Sequence, residues 1–301
     1  MNNRILMLAI SAFLAGPLFA AGTTDALAAT PTSAGAAAVN VRHAQPFTIR
    51  STVIGQGAPK TIVPTTGANP QQVLEQARVI GANPDADLIE FRIDYLDFAT
   101  DPAQVAALGK QVAQAARGKP MILTFRTKAE GGAKAISDAD YGTLYLALIK
   151  AGFTDLLDVE MFRDQKVVGQ VVAAAHKAGT RIVMSSHDFQ KTPPTEEIVA
   201  RLRRQDALGA DVLKIAVMPH DPADVLKLLD ATEQVRARYS LKPQLTMSMG
   251  GLGAISRLSG EVFGSDMTFG MIGVPSAPGQ VDVKQLRQVL EVIHASVGGG
   301  K

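Results

Sequence analysis

Hydrophobic and polar positions follow two alternating patterns from about residue 47 onward. Short runs rich in aliphatic and β-branched residues are separated by longer stretches in which apolar residues recur with the period of a helix. The runs predicted to be strands are 61–65, 88–93, 121–126, 156–161, 181–186, 212–217, 244–249 and 267–272. Helix-like stretches such as 69–82, 101–116 and 222–240 lie between them, and several begin at an Asn-Pro or Asp-Pro signal. This alternation predicts a parallel sheet with right-handed crossovers.

The number of strand–helix units predicts the architecture. Eight parallel strands with their helices make a (β/α)8 TIM barrel, which takes about 250 residues. An open doubly wound sheet is the alternative, but it more often has a glycine fingerprint after its first strand, and TTGANP is not one. The remaining run, 47–57, predicts a β-hairpin that closes one mouth of the barrel. We therefore expect a single α/β barrel domain over 47–301.

The N-terminus has the layout of a secretory signal peptide. A basic start, MNNR, precedes the apolar run ILMLAISAFLAG, and a small-x-small pattern follows at Ala26-Leu27-Ala28. We expect residues 1–28 to be removed after Ala28, giving a periplasmic or secreted protein without stable membrane insertion. An uncleaved anchor is the alternative, although the apolar run is short for a full span. Residues 29–46 have the composition of a disordered lead-in.

Charge and cysteine content narrow the function classes. The chain has 30 basic and 28 acidic residues, a net charge of +2, which gives no reason to expect a nucleic-acid partner. It has no cysteine, so disulfides, thiolate zinc sites and cysteine nucleophiles are excluded. No spacing of His, Asp and Glu resembles a metal site, so the residues give no reason to expect a bound metal.

Polar residues occupy strand positions that should face the barrel interior. Side chains two residues apart share a face, which pairs Glu90 with Arg92 and Asp158 with Glu160, and places Arg126 towards the end of its strand. Each such set could be an interior ion pair of purely structural value. However, the sets recur at the C-terminal ends of several strands, where barrel enzymes carry their active sites. An active site is therefore the favoured interpretation.

Lys214 is the most unusual of these residues because it lies within the aliphatic run VLKIAV. The period of two turns Lys214 into the barrel and directs residues 213, 215 and 217 towards the helices. Burial, with Arg92 and Arg126 nearby, favours the neutral amine over the ammonium. A neutral amine inside a barrel can attack a ketone and form a Schiff base.

A Schiff-base enzyme also needs a group that moves protons, and His187 is the best candidate. It directly follows the predicted strand 181–186, next to the strand of Lys214, and imidazole titrates near neutrality. Glu130, in the loop after the third strand, is a reasonable partner to orient it. The alternative for His187 is a loop-capping role beside Asp188.

A candidate anion site follows the last two predicted strands. The segment QLTMSMGGLGAISRLSG has a glycine turn before a predicted helix start, where free backbone N–H groups and Arg257 would suit a carboxylate. It does not complete G-x-G-x-x-G, because Ser256 stands at the last position, so we reject a dinucleotide site. The loop VPSAPGQ adds Ser276 and Gln280 as polar contacts.

Taken in order, these motifs resemble type I 3-dehydroquinate dehydratase. The segments that carry the resemblance are GQGAPKTIVP, EFRID, TFRT with EGG, SSHDF, LKIAVMP, TMSMG with SRLSG, and SAPGQ. They extend from about residue 47 to the C-terminal region. One departure is the sequence VPTTG, in which Thr65 and Thr66 replace bulkier apolar residues and could alter the mouth of the site. The signal peptide is the other.

The resemblance implies a homodimeric lyase that dehydrates 3-dehydroquinate to 3-dehydroshikimate without a cofactor. Lys214 would form the Schiff base with the C3 ketone, His187 would act as general acid and base, and Glu130 would orient His187. Substrate contacts would come from Glu90, Arg92 and Arg126 at the ring hydroxyls, from Arg257, Ser276 and Gln280 around the carboxylate, and from Met247 and Phe269 as apolar walls.

The export signal adds an expected role in periplasmic quinate or shikimate catabolism. Two other functions compete with the dehydratase. A Schiff-base aldolase would act on sugar phosphates and would use a phosphate cradle after strands 7 and 8. An exported binding protein would keep the barrel without turnover, but the presence of Lys214, His187 and Glu130 argues against it.

Overall fold

The computed structural model describes residues 42–298. The strands are β1 (Phe47–Ile49), β2 (Thr52–Ile54), β3 (Lys60–Pro64), β4 (Leu88–Arg92), β5 (Met121–Thr124), β6 (Leu156–Glu160), β7 (Arg181–Asp188), β8 (Val212–Val217), β9 (Gln244–Ser248), β10 (Met267–Met271) and β11 (Val281–Asp282). The helices are α1 (Pro70–Ala82), α2 (Pro102–Ala115), α3 (Asp138–Ala151), α4 (Gln165–Lys177), α5 (Thr195–Ala207), α6 (Pro222–Gln234), α7 (Ala254–Leu258), α8 (Gly260–Phe263) and α9 (Val283–Ser296).

Helix starts follow the signals expected from the sequence. Helices α1, α2 and α6 each have proline at the first position, where a missing backbone N–H costs nothing. The preceding residue caps each helix; for example, the side chain of Asn69 accepts a hydrogen bond from the Gln72 N–H at 3.1 Å. The Asn-Pro and Asp-Pro predictions are therefore confirmed.

The strands after the hairpin form one curled parallel sheet in the order β11-β10-β3-β4-β5-β6-β7-β8-β9. At the seam between β9 and β10, the Asp266 N–H donates to the Gln244 carbonyl at 2.7 Å. The Thr246 N–H donates to the Ser265 hydroxyl at 3.0 Å. These bonds join β9 to β10, so that the eight strands from β3 through β10 form the predicted (β/α)8 barrel. Strand β11 is a two-residue extension beside β10.

The alternation along the strands separates two apolar clusters. In β8, Leu213, Ile215 and Val217 belong to the cluster between sheet and helices. Val212 and Ala216 belong to the cluster inside the barrel. Lys214 shares the inner face with Val212 and Ala216, so the predicted direction of its side chain is confirmed.

The N-terminal hairpin closes the mouth at which the barrel strands begin. Ile54 is fully buried and packs in the inner cluster with residues at the strand starts, which are Leu88, Ile122, Leu156, Val183 and Val212. Arg50, at the hairpin turn, pairs with Asp155 at 3.0 Å, just before β6. The opposite mouth, at the C-terminal ends of the strands, is left for the polar residues.

The expected signal peptide, 1–28, lies outside the described residues, as does the lead-in, 29–46, up to residue 41. Both remain predictions. Within residues 42–298, none of the helices combines the length and the apolar character needed to cross a membrane.

Candidate active site

A cavity of about 480 Å³ lies among the residues at the C-terminal ends of the barrel strands. Every candidate site residue lines it: Glu90, Arg92, Arg126, Glu130, His187, Lys214, Met247, Arg257, Phe269, Ser276 and Gln280. The lining also includes Gly131, Phe189, Ala216, Met249 and Ala277, to which the sequence analysis gave no role. Phe189 and Met249 lie in the quoted segments SSHDF and TMSMG, so the motifs contained them.

Lys214 projects from β8 into this cavity and is only 2% exposed. Its Nζ lies 2.7 Å from Oδ2 of Asp158 and 4.0 Å from Oε1 of Glu90. The Phe269 ring centroid lies 4.9 Å from the same nitrogen. The neighbours expected from the sequence were Arg92 and Arg126, whereas the closest charged side chains in the structure are the carboxylates of Asp158 and Glu90.

Asp158, on β6, is the residue that the sequence analysis missed as a partner of Lys214. Its Oδ1 accepts a hydrogen bond from the Ser185 hydroxyl at 2.6 Å and lies 2.7 Å from a guanidinium nitrogen of Arg126. Burial alone would raise the pKa of Asp158, but the charges of Arg126 and Lys214 hold it well below its ordinary value. The alternation of side chains along this strand had already predicted that Asp158 faces the barrel interior. That prediction was the sequence signal that could have identified Asp158 as a partner of Lys214.

Arg126, just after β5, is held by a buried network. One guanidinium nitrogen donates to Glu160 at 2.9 Å and to the Ser185 hydroxyl at 3.0 Å. Glu160 also accepts from the Thr127 N–H at 2.8 Å and from the Thr127 hydroxyl at 2.7 Å. These hydrogen bonds hold the Arg126 guanidinium and its carboxylate partners in fixed positions at the cavity.

Glu90 and Arg92, both on β4, line the cavity with different partners. Arg92 donates from Nε and NH2 to the two oxygens of Asp94, each at 2.8 Å, and lies over the Tyr95 ring. The remaining nitrogen of the guanidinium, NH1, is not part of this fork. Oε1 of Glu90 accepts from the Thr124 hydroxyl at 2.8 Å. Both side chains are therefore pre-oriented by neighbours.

Strand β7 extends two residues beyond its predicted end. His187 and Asp188 are paired in register with Ala216 and Val217 of β8, so His187 is a strand residue and not the first loop residue. The loop-capping role belongs to Asp188, whose Oδ1 accepts from the backbone N–H groups of residues 190 and 191. The His187 side chain takes no part in this capping and lines the cavity.

His187 and Glu130 form a close pair. Nδ1 of His187 lies 2.8 Å from Oε2 of Glu130, which leaves Nε2 as the other ring nitrogen. Burial, together with the charge of Glu160, raises the pKa of Glu130 to about 8. Burial, together with the charges of Arg126 and Lys214, lowers the pKa of His187 well below its ordinary value. Both pKa shifts disfavour the charged form, so the imidazole of His187 is uncharged near neutral pH.

The two glycines after Glu130 explain why this loop needs the segment EGG. Gly131 has a φ of 84°, a left-handed conformation that favours glycine. A side chain on Gly131 would collide with the Phe189 ring, and one on Gly132 would collide with the Arg126 carbonyl oxygen. Close packing on both sides thus fixes where Glu130 stands.

Arg257, on α7, is a buried cation on the cavity wall. It is 1% exposed, and its hydrogen bonds go to the Met247 sulfur at 3.5 Å and the Pro278 carbonyl at 3.1 Å. Among residues 42–298 it has no acidic partner within ion-pair distance, and its Nε has no hydrogen-bond acceptor. Burial lowers the pKa of Arg257 to about 10. Such a site would gain from an anionic ligand.

At the N-terminus of α7, two of the backbone N–H groups that could bind an anion are already bonded within the chain. Helix α7 has only five residues, and the N–H groups of Ala254 and Ser256 donate to the carbonyls of Gly251 and Gly253. These two groups are not free to bind an anion. The anion site at the start of α7 stays a prediction, and Arg257 lies on the cavity wall as expected.

Ser276 and Gln280 are linked in the loop between β10 and β11. Oε1 of Gln280 accepts from the Ser276 N–H at 2.7 Å, and Nε2 donates to the Ser276 hydroxyl at 3.0 Å. Thr65 and Thr66, expected at the mouth of the site, do not line the cavity. Thr65 instead bonds the backbone of β4, and Thr66 bonds the side chain of Gln76 on α1.

Comparisons with known proteins agree on one family. The family model described as type I 3-dehydroquinase matches residues 61–297. The catabolic 3-dehydroquinate dehydratase of Acinetobacter baylyi is 48% identical over 82% of this chain and 91% of that protein. The 3-dehydroquinate dehydratase of Bacillus licheniformis is 45% identical over 83% of this chain and 98% of that protein.

Solved structures give the same result. The type I 3-dehydroquinate dehydratase of Clostridium difficile, with covalently modified comenic acid, superposes with a TM-score of 0.81 at 41% identity and covers 84% of this chain and 99% of its own. The 3-dehydroquinate dehydratase of Enterococcus faecalis gives 0.77 at 43% identity, covering 82% and 99%. With its barrel, its buried lysine and its histidine–glutamate pair, the chain belongs to the type I 3-dehydroquinase family of enzymes.

Proposed function

We propose that the chain removes water from 3-dehydroquinate to give 3-dehydroshikimate, through a Schiff base on Lys214. The observation that carries the proposal is the placement of a buried amine, a histidine–carboxylate pair and an unmatched arginine around one cavity. The relatives named as 3-dehydroquinate dehydratases support the choice of substrate.

The first step joins Lys214 to the substrate. Its Nζ loses a proton and attacks the C3 ketone, and the carbonyl oxygen leaves as water, which yields a protonated imine. The uncharged imidazole of His187 lines the same cavity and can accept this proton and return it to the departing oxygen, so that His187 is uncharged again before the second step. Asp158, 2.7 Å from Nζ, then stabilises the positive charge of the imine.

The second step moves protons at neighbouring carbons. The imine acidifies C2, and the imidazole of His187, whose Nδ1 lies 2.8 Å from Glu130, takes the C2 proton. Electrons from the C2–H bond flow into the imine to form an enamine. Their return expels the C1 hydroxyl, which His187 protonates, so that the eliminated water leaves from the same face. Hydrolysis of the resulting imine releases 3-dehydroshikimate and regenerates Lys214.

The remaining residues hold the substrate. Arg257 would pair with the C1 carboxylate, supported by the linked side chains of Ser276 and Gln280. Glu90, Arg92 and Arg126 line the part of the cavity near Lys214 and would meet the ring hydroxyls. Met247 and Phe269 provide apolar contacts on the ring.

The test is an assay of the purified chain with 3-dehydroquinate, following the absorbance of the conjugated product. Lys214→Met should abolish turnover, and Arg257→Met should raise KM by about 30-fold or more, since it removes one member of a charge pair. A phosphorylated ketose should not react. Turnover of the ketose but not of 3-dehydroquinate would overturn the proposal in favour of an aldolase.

We also propose that the enzyme is exported and serves periplasmic catabolism of quinate or shikimate. Support comes from the signal-like segment 1–28 and from the word catabolic in the name of the Acinetobacter relative. Fractionation of cells that express the full chain tests this. A mature periplasmic protein beginning after Ala28 is expected, and a cytoplasmic protein that retains residues 1–28 would contradict it.

A homodimer is the proposed assembly, as the family resemblance implies. Aliphatic side chains on or beside α7, α8 and α9 are about half exposed or more, which supports a partner on this face; they are Leu252, Ile255, Val262 and Val292. Sedimentation equilibrium should give twice the chain mass, and Val262→Glu with Val292→Glu should give the monomer. A wild-type monomer would contradict the proposal.

A further inference from the structure

Gln205 is a fully buried glutamine on α5 that lies outside the cavity yet bonds the backbone of Lys214. Its Oε1 accepts from the Lys214 N–H at 2.9 Å. Its Nε2 donates to the Lys214 carbonyl at 2.7 Å and also lies 3.5 Å from the Met161 sulfur. One side chain from the helix layer thus bonds both peptide groups of the residue proposed to form the imine.

This arrangement is not what packing alone requires. The positions on α5 that face the sheet are otherwise aliphatic, namely Ile198, Val199 and Leu202. A buried amide is costly unless its donor and acceptor are satisfied, and here both are directed at a single residue. The orientation of the amide is unambiguous, because the Lys214 N–H can bond only to an oxygen.

The position of the Lys214 backbone matters because its side chain has little freedom to compensate. Nζ is fixed between Asp158 and the Phe269 ring, and the residue is 2% exposed. A displaced peptide would therefore move the amine or break its ion pair. Misplacement of a reacting group by about 1 Å can cost on the order of 10²-fold in rate.

We propose that Gln205 is a positioning residue, which holds the Lys214 peptide so that Nζ meets the substrate carbonyl in the geometry for attack. The proposal rests on the proposed function, since it concerns the imine on Lys214. Gln205 touches no substrate; it acts only through Lys214. We expect its loss to slow imine formation while substrate binding, which depends on other residues, is retained.

The test compares Gln205→Met, which keeps the length of the side chain without its hydrogen bonds, with the milder Gln205→Asn. Gln244→Met is the matched control. Gln244 is also fully buried, and its Nε2 donates to two backbone carbonyls, of Thr232 and Gly264, each at 3.2 Å, but it does not line the cavity. All variants are studied well below their unfolding temperatures, as folded protein. The rate of borohydride-trapped adduct formation, kcat and KM are measured for each.

Gln205→Met should lower kcat and the trapping rate by about 10- to 100-fold, with KM within about threefold of wild type. Gln205→Asn should lie between wild type and Gln205→Met, and it carries the test if Gln205→Met does not fold. Gln244→Met should lose stability yet trap at the wild-type rate. Wild-type trapping by the folded Gln205 variants, or an equal loss in Gln244→Met, would overturn the positioning role alone. Absence of trapping in the wild type would overturn the proposed function as well.

Discussion

Lys214 shows how far residue-level inference from sequence reaches. The alternation within VLKIAV was sufficient to predict that the side chain enters the barrel, and the apolar clusters on either side of β8 confirm it. The identity of its partner could not be predicted in the same way. Asp158 lies 56 positions earlier in the chain, and the 2.7 Å contact depends on how β6, β7 and β8 are placed side by side. The nearest charged groups therefore differ from the arginines that the sequence analysis placed beside Lys214.

The Glu130–His187 pair leads to a prediction about stability. In the unfolded chain, His187 has the ordinary histidine pKa, near 6.5, and loses its proton above that pH. In the folded chain, the Glu130 carboxyl keeps a proton up to its pKa of about 8, while the imidazole is already uncharged. Because the folded state then binds more protons, the free energy of unfolding should fall by about 2 kcal/mol between pH 6.5 and 8. Glu130→Gln should remove most of this decline.

Urea denaturation at pH 6.5 and pH 8 measures the effect. The exposed Glu75, changed to Gln, is the control and should decline as the wild type does. A decline in Glu130→Gln equal to that of the wild type would assign the proton to a different group.

At the scale of elements, the sequence predicted each barrel strand to within one or two residues at most ends. It did not predict the extension of β7 through Asp188, since polar residues at a strand end look like loop residues. It did not predict β11 either, because two residues are too few to form a pattern. Nor could it show that Asp266 bonds Gln244 through both its backbone and its side chain at the seam between β9 and β10.

Asp266 is central to that seam. Its backbone N–H donates to the Gln244 carbonyl, and its carboxylate accepts from the Gln244 N–H at 2.7 Å and from Arg236 at 2.5 Å. Asp266→Ala would leave Arg236, which is 5% exposed, without its counter-charge. We expect a loss of about 3–5 kcal/mol in the free energy of unfolding.

Chemical denaturation of Asp266→Ala beside Glu75→Ala tests the role of the seam. Glu75 pairs with Arg78 at the surface, so its replacement should cost less than about 1 kcal/mol. Equal losses in the two variants would show that the Asp266 bonds do not hold β9 to β10.

A single added methyl group should be enough to displace the loop after β5. A methyl group at Gly132 would meet the Arg126 carbonyl, so the loop would have to move and carry Glu130 away from His187. Gly132→Ala should lower kcat by at least about 10-fold. Gly169→Ala, on α4, is a suitable control for steric effects, because its added carbon meets no atom within 4 Å and its backbone is helical. A Gly132→Ala enzyme with normal kcat would mean that the loop has room.

At the scale of the whole molecule, the topology explains why residues spread over almost 200 positions meet at one place. Parallel strands bring their C-terminal ends to the same mouth, and the N-terminal hairpin closes the other with Ile54. The sequence was sufficient to predict this convergence, because the polar residues recur at the same end of successive strands. The charge balance around the cavity could be seen only in the structure. Arg92 and Arg126 are paired with carboxylates, whereas Arg257 has no carboxylate partner within the part of the chain that the structure describes.

The most direct test of the account is reduction of the proposed imine. The chain is incubated with 3-dehydroquinate in the presence of borohydride, digested, and analysed by mass spectrometry. We expect one adduct, on the peptide that contains Lys214, with the mass of the ligand less water plus two hydrogens, and no adduct in Lys214→Met. An active wild-type chain that gives no adduct, or gives one on another lysine, would contradict the central claim.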